Sequence, residues 1–170
     1  MLLRGAPGVG KSTVGRTLAE ICGNGVICEV DRFRAMFAPV DWGDRRQHSA
    51  GLRAAVAAGR SLIADGVGLL IVIDTFGRET LPPVAASLAS PNADILAVSL
   101  WAEVNVLRSR LAARGDGFSD AALSSLMNAE VRTKRVADDV LIDTSALQAN
   151  AVAARIIERL DLRPRTARVM

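Results

Sequence analysis

Eight residues near the start, Gly5-Ala6-Pro7-Gly8-Val9-Gly10-Lys11-Ser12, constrain this chain more than any other stretch. They follow a bare apolar run, Met1-Leu2-Leu3, and fit the spacing G-x-x-x-x-G-K-S/T of a phosphate-binding loop. The residue types follow from the task. Glycines let the backbone curl until successive N–H groups point inward at phosphate oxygens, and the next helix adds its positive N-terminal end. The spacing makes Gly5, Gly8, Val9, Gly10, Lys11, Ser12 and Thr13 the nucleotide cradle. Lys11 is expected to reach the β and γ phosphates, Ser12 to hold Mg²⁺ through its hydroxyl, and Thr13 to bond the α-phosphate. Of the 21 basic residues only Lys11 and Lys134 are lysines, so one of two lysines falls where the motif requires it.

The rest of the chain supplies a frame for such a loop. Its 170 residues suit one domain over 1–161, with a short lid around 110–120 and a basic tail at 162–170 that carries Arg163, Arg165 and Arg168 around Pro164. No apolar run approaches the roughly 20 residues that span a bilayer, and no signal peptide precedes the motif, so the chain reads as soluble, cytoplasmic and without a membrane partner. Cys22 and Cys28 are spaced for neither a zinc site nor a redox pair and read as small core residues. A net charge of +3, few aromatics and no tyrosine argue against nucleic acid as the main partner.

Apolar spacing predicts a helix over Lys11–Cys22, stopped by Gly23-Asn24-Gly25, and then a strand over Val26–Val30 that ends at Asp31. A short helix over Arg32–Ala38 is broken by Pro39, a polar loop runs from Val40 to Arg46, and a long Ala-rich helix covers Gln47–Ala64. Gly68–Ile73 is an almost purely apolar run, as a strand buried on both faces requires, and it too ends at an aspartate, Asp74. A helix is expected within Gly77–Leu88, starting near Pro82-Pro83, and a strand over Ala93–Leu100. A helix over Ala102–Arg114 follows, then one capped by Ser119 and running to about Arg135. A last strand at Asp139–Ile142 and a last helix at Ser145–Leu160 complete the pattern. The alternation is that of an α/β protein with a doubly wound parallel sheet of about five strands, whose ligands bind beyond the carboxyl ends of the strands.

That rule singles out two aspartates. Asp74 stands where an acid could hold Mg²⁺ directly or through water, with a helix cap as the alternative. Asp31 could accept the proton of an attacking hydroxyl, or simply cap the helix at Arg32.

These features together resemble the P-loop small kinases, in particular the polynucleotide-kinase-like and chloramphenicol-phosphotransferase-like groups. The likeness rests on the P-loop, on Asp31-Arg32-Phe33-Arg34, on Asp74-Thr75-Phe76 with Arg78, on Arg110-Leu111-Ala112-Ala113-Arg114-Gly115, and on Ile142-Asp143-Thr144-Ser145, in the expected order. It implies a three-layer α/β/α sheet of strand order 2-3-1-4-5. It also implies roles: Asp31 as general base, Arg34 as a guide for the acceptor, and Asp74 serving the metal. Arg110 and Arg114 would sit on a lid whose guanidinium groups stabilise the transferring phosphoryl, and Asp143 and Thr144 would border the adenine. For Arg110 and Arg114 an exposed helix face, and for Asp143 and Thr144 an ordinary strand-to-helix loop, are the plainer alternatives.

Asp74-Thr75-Phe76-Gly77-Arg78 is also similar to the D-G-F-P-R stretch of adenylate kinases, where the arginine holds the acceptor nucleotide's phosphate. The usual Gly-Asp with a following Arg after strand two is missing, which disfavours a nucleoside monophosphate. Arg78 is expected to touch the acceptor in either case. The acceptor pocket should come from residues 32–47, where Trp42 could stack on a substrate or anchor the helix to the sheet. His48, the chain's one histidine, reads as an ordinary surface or core residue.

The expected activity is transfer of the γ-phosphoryl group of MgATP to a hydroxyl of a small acceptor, by a monomer or homodimer. A kinase of 5′-hydroxyl nucleic acid, or an ATPase switch, is less favoured; no glutamate stands beside Asp74 to polarise water. The absence of an Asn-Lys-x-Asp motif points to adenine over guanine.

Overall fold

A computed structural model describes residues 1–23, 25–91, 93–113, 118, 120–134 and 139–162. Five strands form one sheet in the order β2-β3-β1-β4-β5, and every pairing is parallel. They are β1 (Leu2–Gly5), β2 (Gly25–Glu29), β3 (Leu69–Asp74), β4 (Ala97–Trp101) and β5 (Val140–Asp143). Seven helices are described: α1 (Lys11–Cys22), α2 (Val30–Arg34), α3 (Arg45–Ala64), α4 (Leu81–Leu88), α5 (Val104–Ala112), α6 (Ala121–Thr133) and α7 (Ala149–Arg159).

The apolar run of β3 is continuous because each residue faces one of two cores. Ile71 and Ile73 join Leu3 of β1, Val14 and Leu18 of α1 and Ile156 of α7 on one face. Leu70 and Val72 join Leu2 and the residues Leu81, Val84 and Leu88 of α4 on the other, with Leu52, Val56 and Ile63 of α3 packed against them. A strand covered on both sides has no polar face to present, which is why alternation is absent there. Cys22 and Cys28 are buried, free thiols whose pKa values burial raises.

Several boundaries differ from the sequence expectation. β2 ends at Glu29 and α2 begins at Val30, whose side chain is fully buried, so Asp31 lies inside the first turn of a helix. The α-helical part stops at Arg34, and further turns carry the chain on, with Met36 N donating to Phe33 O and Phe37 N to Arg34 O. α3 starts two residues earlier than expected because Asp44 caps it, accepting from Arg46 N at 2.7 Å. Asp120 caps α6, its carboxylate accepting from Leu123 N at 2.9 Å; Ser119 lies outside the described residues. β4 begins only at Ala97, after an isolated antiparallel bridge between Ser90 and Ala93. α7 begins at Ala149, because Asp143 and Ser145 form a turn of their own first.

Candidate functional site

The phosphate-binding loop joins β1 to α1 at the carboxyl end of the sheet. Gly8 and Gly10 have φ of +83° and +101°, backbone that a side chain strains. A Cβ on Gly8 would also press on Leu111 Cγ at 2.9 Å, whereas one on Gly10 would meet nothing within 4 Å, so the space over Gly10 is open. The loop's carbonyls accept from side chains. Lys11 Nζ donates to Gly5 O (2.8 Å) and Ala6 O (3.1 Å), and Ser124 Oγ of α6 donates to Pro7 O (2.7 Å). Val9 O accepts from Thr144 Oγ1 (3.2 Å) and Arg110 Nη1 (3.4 Å).

The α1 ladder begins with Val14 N donating to Gly10 O, so the amides of Ser12 and Thr13 lie ahead of it. No acidic residue stands in that first turn to offset the positive helix end. The Ser12 and Thr13 hydroxyls make no hydrogen bond to described residues. The loop and the start of α1 thus present backbone amides with no acidic side chain in the first turn, an arrangement that suits an anion.

Thr144 and Arg110 brace this cradle from the β5 side. Arg110 donates to Thr144 Oγ1 (3.0 Å) and Thr144 O (2.8 Å), and buried Thr144 also bonds Trp101 O through its own amide. Asp143 is exposed and accepts from Ser145 N at 2.8 Å, while Ser145 Oγ accepts from Glu103 N. Arg110 is thus tied to the loop and to β5 rather than standing out on an exposed helix face. Arg114 lies outside the described residues.

On the other side of the loop, β2, β3, α2 and α3 gather the residues expected to meet an acceptor. The Asp31 side chain is 66% exposed and pairs with Arg34 Nη1 at 3.2 Å. Arg34 is buried, lies 4.9 Å from the Trp42 ring centroid, and donates through Nη2 to Trp42 O at 2.7 Å. Trp42 thus holds Arg34 through its carbonyl and ring, and its side chain is half-exposed. A Cβ on Gly51 would come within 2.7 Å of Arg34 Cγ, so only glycine lets α2 and α3 close here. Beside them Phe33, Met36, Phe37, Ala50, Gly51 and Ala54 line an apolar groove of about 240 Å³. Arg78 is exposed, in the turn before α4. A second cavity, of about 550 Å³, lies at the opposite end of the sheet, among Cys22, Leu69, Ile95 and Leu160, away from this chemistry.

Two groups escaped the sequence reading. His48, in the first turn of α3, places Nε2 2.9 Å from Asp74 Oδ2. That hydrogen bond is the main cause that raises the imidazole pKa; burial and Arg34 oppose it, and the charges of Asp74 and Asp31 reinforce it. The parity of β3 could have revealed the pair, since Asp74 lies two residues beyond Val72 and so on the α3 face. Arg4 is fully buried in β1, with its guanidinium donating to Val131 O at 3.3 Å and lying 3.9 Å from the Asp139 carboxylate, which in turn accepts from Ser99. Nothing in the pattern of β1 flagged a charge at the sheet centre.

Among the described residues no three His, Cys, Asp or Glu side chains cluster to hold a metal unaided. Asp74 Oδ1 accepts no hydrogen bond from described residues, and β1 pairs Arg4, one residue before the loop's first glycine, with Asp74. One carboxylate oxygen and one free hydroxyl, from Asp74 and Ser12, fit a Mg²⁺ that takes its other ligands from phosphates and water.

The sequence model of the AAA_18 family, described as an AAA domain, matches residues 1–135. The chain belongs to that family. A comparison with curated protein sequences finds no match. Among solved structures, the fold is similar to a tunicamycin resistance protein from Deinococcus radiodurans (TM-score 0.74, 22% identity, 98% of each chain covered). A sugar kinase from Janibacter is similar at TM-score 0.71 and 18% identity, covering 96% of this chain and 94% of that one. Shikimate kinase from Acinetobacter baumannii, in complex with shikimate, matches at TM-score 0.63 and 19% identity, covering 94% and 90%. The fold is that of the P-loop kinases, and none of its described helices is long and apolar enough to cross a membrane.

Proposed function

We propose that the protein is an ATP-dependent phosphotransferase that moves the γ-phosphoryl group of MgATP to a hydroxyl of a small-molecule acceptor. The observation that carries the reading is the pairing of a phosphate-type loop, whose helix end has no acid in its first turn, with two carboxylates beyond it: Asp74 at the end of β3 and Asp31 in the first turn of the helix after β2. The sugar and shikimate kinases of like fold act on small hydroxylated molecules, which supports the acceptor class.

The residues divide the work. The amides of the loop and of the first turn of α1 hold the β and γ phosphates, and Lys11 swings from the loop carbonyls onto them. Ser12 and Asp74 hold Mg²⁺, which when bound neutralises charge on the phosphates. Asp31 takes the proton of the acceptor hydroxyl as that oxygen bonds to the γ-phosphorus and the bond to the β,γ-bridging oxygen breaks, leaving ADP. Arg110, which bonds Val9 O and Thr144, turns to the phosphates from the β5 side when nucleotide binds, where its permanent charge stabilises the transferring group, and Arg114 joins it. Asp143 and Thr144 border the adenine. Arg34 fixes Asp31 and Trp42, while the open face of Trp42 and Arg78 meet the acceptor. Positioning and electrostatics supply most of the rate.

The test is ADP release from MgATP against pooled acceptors: hydroxylated antibiotics, sugars and cyclitols, nucleosides, nucleoside monophosphates, and 5′-hydroxyl oligonucleotides, with Lys11→Ala as the blank. One small-molecule pool should raise turnover well above the basal rate. Stimulation by oligonucleotides alone would move the acceptor to nucleic acid, and silence in every pool with ATP still bound would overturn the transferase reading.

A further inference from the structure

We propose that His48 is a positioning residue for the metal-side acid, gripping one oxygen of Asp74 so that the other is presented to the cation of the bound nucleotide. The inference rests on the phosphotransferase reading. It starts from how the carboxylate is shared: Asp74 is 7% exposed, its Oδ2 lies 2.9 Å from His48 Nε2, and its Oδ1 takes no hydrogen bond from described residues. A carboxylate that ligates a metal needs such an outer partner, because an unheld side chain spends its time in rotamers that do not ligate. No other described residue hydrogen-bonds the Asp74 carboxylate.

The place of His48 in the chain gives the grip a second consequence. Its own amide donates to Asp44 O, the cap of α3. The adjacent Gln47 fastens the preceding loop to the same turn: its Oε1 accepts from Asp41 N at 2.8 Å and its Nε2 donates to Pro39 O at 3.3 Å. That loop carries Trp42, whose carbonyl and ring hold Arg34. One helical turn therefore joins the acceptor-side loop to the acid that serves the metal.

The experiment compares wild type, His48→Ala and His48→Gln, the last keeping a side-chain N–H donor. Binding of a non-hydrolysable ATP analogue is titrated at rising Mg²⁺ and in chelator, and bound Mn²⁺ is counted by electron paramagnetic resonance. His48→Ala should weaken cation affinity in the nucleotide complex about 10- to 100-fold. Nucleotide affinity in chelator should stay unchanged, and His48→Gln should recover part of the loss. A purely structural tie would lower the melting temperature and leave the cation dependence alone; equal cation dependence in wild type and His48→Ala overturns the inference. In the metal-free protein the single imidazole gives one set of ring signals, which should move in Asp74→Asn, and no movement would equally overturn it. Should nucleotide binding by wild type itself ignore divalent cations, the phosphotransferase reading falls first. A cation-dependent wild type with an unaffected His48→Ala sinks only the role of His48.

Discussion

The two sides of the phosphate-binding loop are built differently. On the nucleotide side, loop carbonyls accept from side chains: Lys11 locally to Gly5 and Ala6, and, from distant elements, Ser124 to Pro7 and Thr144 and Arg110 to Val9. On the acceptor side, charged and aromatic side chains hold one another: Asp31 to Arg34 within α2, Arg34 to Trp42 in the loop that follows, and His48 of α3 to Asp74 of β3. On the proposed reading the first arrangement holds the phosphate tail of the nucleotide. The second, with a half-exposed Trp42, an exposed Met36 and a small apolar groove, can vary with the acceptor at no cost to the cradle.

The division is sharpest at Asp31. Asp31→Asn should lower transfer about 10²- to 10⁴-fold, the range for removing a general base, with ATP affinity nearly unchanged. Equal loss of ATP binding in calorimetry would break the division, because it would put Asp31 in the cradle. Lys11→Ala does the converse. It removes a group that strengthens its hold as charge moves in transfer, costs about 10²- to 10³-fold in turnover, and should abolish the melting shift that MgATP gives, while acceptor binding measured alone persists.

Much of the nucleotide side was legible because its signals are local. The loop spacing, its glycines and the helix after it form one continuous stretch from Gly5 to Cys22, and β3 announces itself by an apolar run covered on both faces. The acceptor side was legible in its residue types and hidden in its geometry. Asp31 and Arg34 are one helical turn apart, yet nothing local tells that Arg34 is buried against Trp42 or that Gly51 permits it. The His48–Asp74 pair spans 26 positions, and Arg4 reaches Val131 across 127. A lone histidine on a helix and an arginine in a short strand carry no mark of such partners, because the partners are set by the sheet order.

Smaller effects separate the sides by stability. Thr144→Val removes a buried hydroxyl that serves both Val9 O and Arg110, leaving those groups short of a partner. It should cost about 1–3 kcal/mol in urea unfolding and raise the KM for ATP with that for the acceptor unchanged. Trp42→Ala should cost less, of order 0.5–1 kcal/mol from the lost ring contact with Arg34, and should raise the KM for the acceptor alone. A rise in the ATP KM in Trp42→Ala would place the indole against the nucleotide instead.

The gentlest probe is pH, since the acceptor side holds the chain's one imidazole. The hydrogen bond to Asp74 raises the His48 pKa above its ordinary 6.5, so the folded protein binds that proton more tightly than the unfolded chain does. The resulting stabilisation is fully present below 6.5 and fades as pH rises through the folded value. The difference in melting temperature between wild type and His48→Gln isolates it, because every other titrating group is common to both. That difference should be largest just below 6.5 and shrink at higher pH, in step with the imidazole titration followed by magnetic resonance. A difference that grew with pH would mean that folding depresses the His48 pKa, and that Asp74 does not hold the ring in solution.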